Sequence, residues 1–195
     1  IKNQITRFEG LYPYLELIAK KHNLDVFDYK VSEAYWIGNE LLDVFDESDL
    51  KEMIMSLSKR GLPKSYAQKL CEDVPKGMLP HHSFNVIYVG VGKITGAVEF
   101  NIENINNCMI RYGEVTKLNK STAVIKHQPY KFNEGKLVLG NEIIEELEYL
   151  PEFNDLKFGE VVSIHWNFVV DKINEKQLNN LKKYTKINVD ALNYK

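Results

Sequence analysis

"EVVSIHWNFVVDKI", residues 160–173, carries the clearest strand pattern in the chain. Its alternation predicts one strand with a largely apolar face made of Val162, Ile164, Trp166, Phe168 and Val170. The other face is made of Val161, Ser163, His165, Asn167 and Val169. Four shorter runs also have strand character: 83–91, 108–118, 121–128 and 135–140. Turn signals at Gly113, in LNKS and in NEGK separate short strands, which predicts a small, OB-like β-barrel.

The first part of the chain has helical periodicity instead. Four segments predict helices: YPYLELIAKKH (12–22), KVSEAYWIGNELLDVF (30–45), DESDLKEMIMSLSKRG (46–61) and PKSYAQKLCEDVP (63–75). A last helix is predicted after Asn174, which has the spacing of a capping box with Gln177. The sequence therefore predicts an α+β protein, with a helical region at 1–78 and a β-barrel with a C-terminal helix at 79–195.

Composition and net charge argue against several classes of function. The net charge of −2 favours neither nucleic acid nor an anionic membrane surface as a partner. No apolar run reaches the roughly 18 residues that a membrane span needs. Two cysteines far apart in sequence, Cys71 and Cys108, indicate a reducing, cytoplasmic location rather than a disulfide framework. VGVGKITG (89–96) lacks the spacing of a phosphate-binding loop, so no nucleotide is expected.

An ordered set of residues runs from Cys108 to the last helix. Its members are Cys108, Gly113, Val115, Gly159, Glu160, Val162, His165, Phe168, Ile173 and Glu175. This order resembles the HypC/HupF family of hydrogenase-assembly chaperones, over about residues 108–187. Members of that family are small β-barrels with a C-terminal helix. Their motif begins Cys-x-x-x-Pro-Gly-x-Val and later reads Gly-Asp-Tyr-Val-Leu-Val-His-Val-Gly-Phe-Ala.

The resemblance implies a function in hydrogenase assembly. In that family the cysteine, helped by the histidine, holds an iron fragment that carries cyanide and carbonyl ligands. The chaperone takes the fragment from a maturation scaffold to the large subunit of nickel–iron hydrogenase. The resemblance thus assigns iron binding to Cys108 and support to His165, and a soft thiolate suits low-spin iron.

Three features depart from that family's pattern. Its cysteine is the second residue of the chain, whereas Cys108 is internal. Tyr112 stands where the family has proline, and Asn167 stands where it has the glycine before Phe168. The whole chain also resembles an uncharacterised family often encoded near hydrogenase genes, through EAYWIGN (33–39), LPHHSF (79–84) and SIHWNFV (163–169).

Two adjacent histidines, His81 and His82, are the other candidate ligands. At the start of a strand they would point to opposite sides, so one at most is expected to join a given site. If one of them converges with Cys108 and His165, the set suits a transition metal such as iron or zinc. The alternative for each histidine is a loop position or a hydrogen-bonding role.

The segment EAYWIGN offers supporting residues. Helical spacing places Glu33, Trp36 and Glu40 on one side of a helix. Glu33 either faces the barrel as a functional acid or is the solvated end of a core stripe. Asn167, two positions after His165, is a further supporting candidate.

Three functions stay open from the sequence. The first is a non-enzymatic accessory protein that binds a hydrogenase maturation scaffold or large subunit, with Cys108 guiding an iron fragment. The second is a metal-dependent enzyme in which His81 or His82, Cys108 and His165 hold a metal and Glu33 acts as a base. The third is a structural adapter that keeps the barrel and binds no ligand. The first is favoured, because no enzyme motif is present.

Overall fold

The computed structural model describes residues 10–90, 96 and 99–194 of the 195-residue chain. Its α-helices are α1 (Tyr12–His22), α2 (Tyr29–Trp36), α3 (Glu47–Leu57), α4 (Lys64–Glu72), α5 (His82–Phe84), α6 (Ile102–Cys108) and α7 (Glu175–Asn193). Shorter helical segments are the 3₁₀ turns Glu40–Val44 and Ser58–Arg60 and the π-helical segment Asn85–Val89. Its strands are β1 (Arg111–Leu118), β2 (Thr122–His127), β3 (Tyr130–Asn133), β4 (Lys136–Leu139), β5 (Ile143–Glu148), β6 (Val161–His165) and β7 (Phe168–Lys172).

The chain forms two compact units. One, the helical unit, combines Ile1–Phe100 with Asn180–Lys195, and the other, the barrel unit, is Asn101–Asn179. Helix α7 begins in the barrel unit and continues into the helical unit, whereas the prediction from the sequence placed all of it with the barrel. In the described part of the chain, no helix has the length and apolar character that crossing a membrane requires.

The helical unit follows the predicted pattern at three segments. Helix α1 has Pro13 in its first turn and ends at Asn23, whose φ of 54° is left-handed. Helix α3 begins with a capping box between Asp46 and Asp49. The predicted helices at 12–22, 46–61 and 63–75 are confirmed. Their fully or almost fully buried side chains include Tyr14, Ile18, Leu50, Met53, Ile54, Leu57 and Ala67.

The barrel unit is a closed barrel of five strands, which confirms the predicted OB-like class. The strands neighbour one another in the order β1-β2-β5-β7-β6, and β1 pairs with β6 to close the barrel. The β5–β7 pair is parallel, at Glu148 and Phe168, and the other pairs are antiparallel. Strands β3 and β4 form a separate two-stranded sheet. The barrel core consists of Val115, Ala123, Ile125, Leu147, Tyr149, Leu156, Val162, Ile164 and Val169.

The segment 160–173 is a hairpin, so the prediction of one strand was wrong. Strands β6 and β7 are joined by Trp166 and Asn167, whose φ angles are 51° and 58°. Two consecutive left-handed residues form the tight turn that suits twisted hairpins. Pairing of Ile164 with Val169 puts an even-numbered and an odd-numbered residue on the same inner face. A simple alternation through the turn could not anticipate this change.

The segment 83–91 was also predicted wrongly as a strand. Its described residues are helical, in α5 and the π-helical segment that follows. The His81 side chain accepts a hydrogen bond from the Ser83 amide and so caps α5. Gly90, with a left-handed φ of 64°, ends the segment.

Two further boundaries differ from the predictions. The strand expected at 108–118 begins at Arg111, because Cys108 is the last residue of α6, and Gly113 lies within β1 rather than in a turn. The helix expected at 30–45 ends at Trp36, and Glu40 starts a separate 3₁₀ turn capped by Asn39. Glu40 therefore does not share a helix with Glu33 and Trp36.

The start of α7 agrees with the sequence in detail. The Gln177 amide donates to the Asn174 Oδ1 atom at 3.0 Å, and the Asn174 amide donates to the Gln177 Oε1 atom at 3.1 Å. These two bonds form the predicted capping box. Further along α7, Leu181 and Tyr184 are buried, as the predicted inner face requires.

Candidate functional site

Cys108 lies at the junction between α6 and the barrel. Helix α6 begins at Asn101, whose side chain accepts a hydrogen bond from the Asn104 amide at 2.8 Å. It ends at Cys108, where Met109 turns into an extended conformation two residues before β1. The thiol is half-buried, and this burial raises the pKa of Cys108 above its ordinary value.

His165, the last residue of β6, lies beside Cys108. Its ring hydrogen-bonds to the Cys108 backbone, and because this bond raises the His165 pKa, the ring is the donor and the carbonyl the acceptor. Burial, together with the positive charge of Arg111, brings the pKa of His165 below its ordinary value overall. The Trp166 amide also donates to the Asn107 carbonyl at 2.8 Å. The end of α6 and the β6–β7 turn are thus joined at two adjacent points.

Three charged or titratable side chains near this pair were missed by the sequence reasoning: Arg111, His127 and Glu145. Arg111 Nη1 lies 3.4 Å from His127 Nδ1 and 3.8 Å from Glu145 Oε2. His127 Nε2 lies 2.9 Å from the same Glu145 oxygen. Arg111 Nη2 donates to Asn167 Oδ1 at 3.4 Å, so the predicted supporting residue Asn167 contacts the group through Arg111.

Arg111, His127 and Glu145 form the last layer of inward-facing side chains in the barrel. Arg111 precedes inward-facing Val115 by four positions in β1, and His127 follows inward-facing Ile125 by two positions in β2. Gly113 pairs with His127 in the register between them. A Cβ atom at Gly113 would lie 2.4 Å from Ile125 Cγ2 and 2.9 Å from His127 Cβ. The missing side chain at Gly113 therefore makes room for this polar layer.

The Arg111 guanidinium is buried, and its contacts offset only part of the free-energy cost of removing its charge from water. The residue is 5% exposed, and its Nε atom has no hydrogen-bond partner among the described residues. Burial lowers the Arg111 pKa, whereas the charge of Glu145 raises it. Burial and the Arg111 charge likewise bring the His127 pKa below its ordinary value, against the opposing effect of Glu145. Arg111 and His127 alternate in step with the inward-facing residues Val115 and Ile125. This alternation is the signal that could have identified both residues from the sequence.

His81 and His82 lie in the helical unit, where both are buried. His82 Nδ1 lies 2.9 Å from the Tyr35 hydroxyl, and its ring packs on Trp36 with a centroid distance of 4.5 Å. His81 Nδ1 lies 2.8 Å from the Ser83 hydroxyl. Burial lowers the His81 pKa to about 3, although the nearby carbonyls of Trp36 and Ile37 raise it. His81 Nε2 still makes no hydrogen bond of ordinary geometry to a described residue.

Glu33 and Trp36 have local contacts in the same unit. Glu33 Oε2 accepts a hydrogen bond from Asn39 Nδ2 at 3.1 Å, which links α2 to the cap of the next turn. Trp36 also contacts the Tyr35 ring edge to face. These contacts are those of packing residues.

The four residues of the predicted metal set are divided between the two units. Within residues 10–90, 96 and 99–194, no three His, Cys, Asp or Glu side chains lie close enough together to hold a metal ion. Cys108 and His165 are adjacent in the barrel unit, whereas His81 and His82 belong to the helical unit. The candidate site is therefore the pair Cys108 and His165, with Arg111, His127 and Asn167 around it.

Fold and site together define a class of protein: a small OB-like barrel, joined to a helical unit, that carries a half-buried cysteine whose backbone is hydrogen-bonded by a histidine. The chain belongs to the family described as "Family of unknown function (DUF6390)", whose model matches residues 1–195. It matches no curated protein and no solved structure.

Proposed function

We propose that this protein is an accessory protein of nickel–iron hydrogenase maturation, a HypC-like chaperone that binds a maturation scaffold or the hydrogenase large subunit. Its cargo is an iron fragment with cyanide and carbonyl ligands, held through Cys108. One observation carries the proposal: the His165 ring contacts the Cys108 backbone beside an OB-like barrel. Two residues of the ordered set that resembles the HypC/HupF family, Cys108 and His165, are thus neighbours in space.

The chemistry of Cys108 suits reversible loading. Because burial raises its pKa, the sulfur is a protonated thiol at neutral pH when no cargo is bound. A soft iron centre binds the thiolate, so loading releases that proton. Half-burial limits access of water and oxidants to the sulfur. The same thiol therefore resists reaction in the empty protein and becomes a ligand when cargo arrives.

His165 is arranged to support the thiol. Its lowered pKa keeps the ring neutral at pH 7, and a neutral imidazole has one N–H donor and one nitrogen with a lone pair. The donor is engaged with the Cys108 carbonyl, which fixes the ring orientation relative to the thiol. The lone-pair nitrogen is then the one that can accept a proton or contact the cargo.

Arg111 contributes charge to the same site. Cyanide ligands and a thiolate bring negative charge, which a buried guanidinium nearby offsets more strongly than it would in water. Asn167 and His127 hold this guanidinium from two sides. Arg111 is thus assigned a positioning and charge-balancing role, one step removed from the thiol.

The test is anaerobic purification from the native host, followed by iron analysis and infrared spectroscopy in the region where metal-bound carbonyl and cyanide absorb. We expect iron and these bands in the wild-type protein and neither in Cys108→Ala. Cys71→Ala is the matched control, because Cys71 is also half-buried but lies in the helical unit, with its thiol donating to the Lys51 carbonyl. Circular dichroism confirms that both variants are folded.

Two results would contradict the proposal. Bands that persist in Cys108→Ala would assign the cargo to other residues. Wild-type protein that carries neither iron nor bands, even when purified together with its hydrogenase maturation proteins, would exclude the carrier role.

A structural adapter without a ligand is the second candidate. The raised pKa of Cys108 favours it, because an inert, half-buried thiol is also what a packing residue would show. Under this alternative the double variant Cys108→Ala, His165→Ala binds the protein partner as the wild type does. Under the carrier proposal, the partner that exchanges cargo binds the double variant more weakly.

A further inference from the structure

We infer that the outer face of β5 and the turn after it form a docking surface for a basic amphipathic helix of a partner protein. We call it the β5 surface, and it consists of Ile144, Glu146, Glu148, Leu150 and Phe153. It shares no residue with the Cys108 and His165 pair. The inference does not rest on the hydrogenase proposal.

The geometry of β5 places these residues together. Leu147 points into the barrel core, so the alternate residues Ile144, Glu146 and Glu148 point outward. After the strand, the amides of Phe153 and Asn154 donate to the Leu150 carbonyl at 3.1 and 3.0 Å. This helical turn brings Phe153 next to Leu150, because residues three apart are neighbours in a turn. The strand face therefore continues into the turn.

The apolar members of the surface are unusually open. Ile144 is 69% exposed and Phe153 is 77% exposed, and Leu150 is also exposed. Inward-facing residues of the same region, such as Leu147 and Leu156, are almost completely buried, so this unit has a filled core of its own. Exposed apolar side chains along one face, with charged side chains between them, mark interaction surfaces.

The acidic side chains of the β5 surface indicate what kind of partner it binds. Residues 141–160 contain seven acidic side chains and one basic side chain. Three of these acids, Glu145, Asp155 and Glu160, pair with basic groups. Among the described residues, Glu146, Glu148 and Glu152 form no ion pair. Hydrogen bonds from Thr122 and Asn119 fix the Glu146 carboxylate and lower its pKa. A surface of apolar and acidic groups complements a partner with apolar and basic groups.

The length of the β5 surface indicates how long the partner helix is, and symmetry argues against a second copy of the chain as the partner. The path from Ile144 to Leu150 is about 20 Å at the usual rise of a strand, which matches a helix of about 13 residues. Such a helix presents apolar side chains at intervals of three and four positions, with lysine or arginine beside them. A second copy of the chain fits poorly, because a symmetric dimer through the β5 surface would bring its carboxylates face to face.

The experiment uses the full chain and a labelled synthetic helix of lysine and leucine, about 14 residues long, in a fluorescence anisotropy titration. A peptide of identical composition, with the leucines scrambled off a single face, is the comparison. We expect the amphipathic peptide to bind at least about tenfold more tightly than the scrambled one, with an affinity that falls as salt is added. The double variant Ile144→Ser, Phe153→Ser should lose at least about tenfold in affinity.

Matched variants separate this inference from its alternatives. Phe132→Ser changes an exposed aromatic residue on β3 and should bind the peptide as the wild type does. Cys108→Ala should also bind it normally, so the peptide result and the iron result can fail independently. Equal binding of the scrambled peptide, or unchanged binding by the double variant, would overturn the inference. Self-association of the wild type that disappears in the double variant would overturn it as well.

Discussion

A single missing side chain, at Gly113, makes the polar layer of the barrel possible. We predict that Gly113→Ala lowers the free energy of unfolding by about 1–3 kcal/mol, the usual range for overpacking. The added Cβ would lie 2.8 Å from the Lys126 carbonyl oxygen, and backbone cannot move aside as a flexible side chain can. Urea denaturation measures the change. Glu114→Ala, on the outward face of the same strand, is the control and should change stability by less than about 0.5 kcal/mol, because it removes only a partly exposed ion pair with Lys126.

His81 makes stability depend on pH in a defined direction. Its pKa is about 3 in the folded protein and 6.5 in the unfolded chain, so the unfolded state takes up the extra proton first. Stability is therefore lost as the pH falls from about 6.5 toward about 3, at up to about 1.4 kcal/mol per pH unit from this residue. His127 and His165, with pKa values also lowered, act in the same direction.

The variant His81→Asn isolates that contribution. Asparagine keeps a side-chain oxygen to cap α5 but does not titrate in this range. Urea denaturation at several pH values should give a smaller loss of stability on acidification for the variant than for the wild type. Identical slopes for the two proteins would show that His81 does not titrate as its burial requires.

At the scale of single residues, the sequence indicated which side chains carry reactive groups better than it indicated which side chains are buried. Cys108 and His165 were selected because their order in the chain resembles the HypC/HupF motif, and the His165 ring does contact the Cys108 backbone. Arg111 and His127 did not belong to the candidate residues that were identified from the sequence. Gly113 pairs with His127 across β1 and β2 and leaves room for these side chains inside the barrel. The alternation along each strand places Arg111 and His127 on the apolar faces, but it does not show that Gly113 makes this room.

At the level of elements, two hairpins share one turn geometry. Trp166 and Asn167 form the turn between β6 and β7, and Glu134 and Gly135 form the turn between β3 and β4. All four residues have positive φ, including 51° at Trp166 and 50° at Glu134. A left-handed conformation costs a bulky residue about 1–2 kcal/mol, and asparagine tolerates it better. Each turn therefore stores backbone strain at its first position.

We predict that Trp166→Asn and Glu134→Asn each raise the free energy of unfolding, by roughly 1 kcal/mol. Thermal or urea unfolding of the two variants measures the gain. Glu134 serves as the internal control for backbone strain, because its hairpin is remote in sequence from Cys108 and His165. A gain at Glu134 with a loss at Trp166 would mean that the indole makes contacts worth more than the strain.

The elements that the sequence predicted well are those with local signals. Capping residues and apolar periodicity marked α1, α3, α4 and α7. The hairpin at 160–173 was missed because its turn has tryptophan and asparagine instead of the usual glycine. The helical segment after His81 was missed because a histidine cap is uncommon and valine and isoleucine there favour strands.

At the level of the whole molecule, Asn188 on α7 binds the helical unit together. Its Oδ1 accepts from the Leu79 amide at 2.8 Å, and its Nδ2 donates to the Leu79 carbonyl at 3.1 Å and to the Ser83 hydroxyl at 2.9 Å. The residue is fully buried. We predict that Asn188→Ala destabilises the helical unit by about 1–3 kcal/mol, because buried polar groups lose their partners.

Hydrogen exchange of the full chain measures this effect and its extent. In Asn188→Ala, amides of α1–α5 should exchange faster, whereas those of β1, β2, β5 and β6 should keep their protection, because the barrel has a separate core. Lys186→Ala, on the exposed side of α7, should leave both unchanged. Faster exchange throughout the barrel strands would show that the two units unfold as one.

The split of α7 between the two units has a consequence for the order of events on the ribosome. The barrel has all of its residues once position 179 has been synthesised, whereas the helical unit lacks Leu181, Tyr184 and Asn188 until later. Domains nearer the N-terminus usually fold first during translation. In this chain α1–α5 still lack their contacts with α7 when the last residue of the barrel unit has been added. We therefore expect the apolar side chains of α1–α5 to be the part of the nascent chain that a cellular holdase binds.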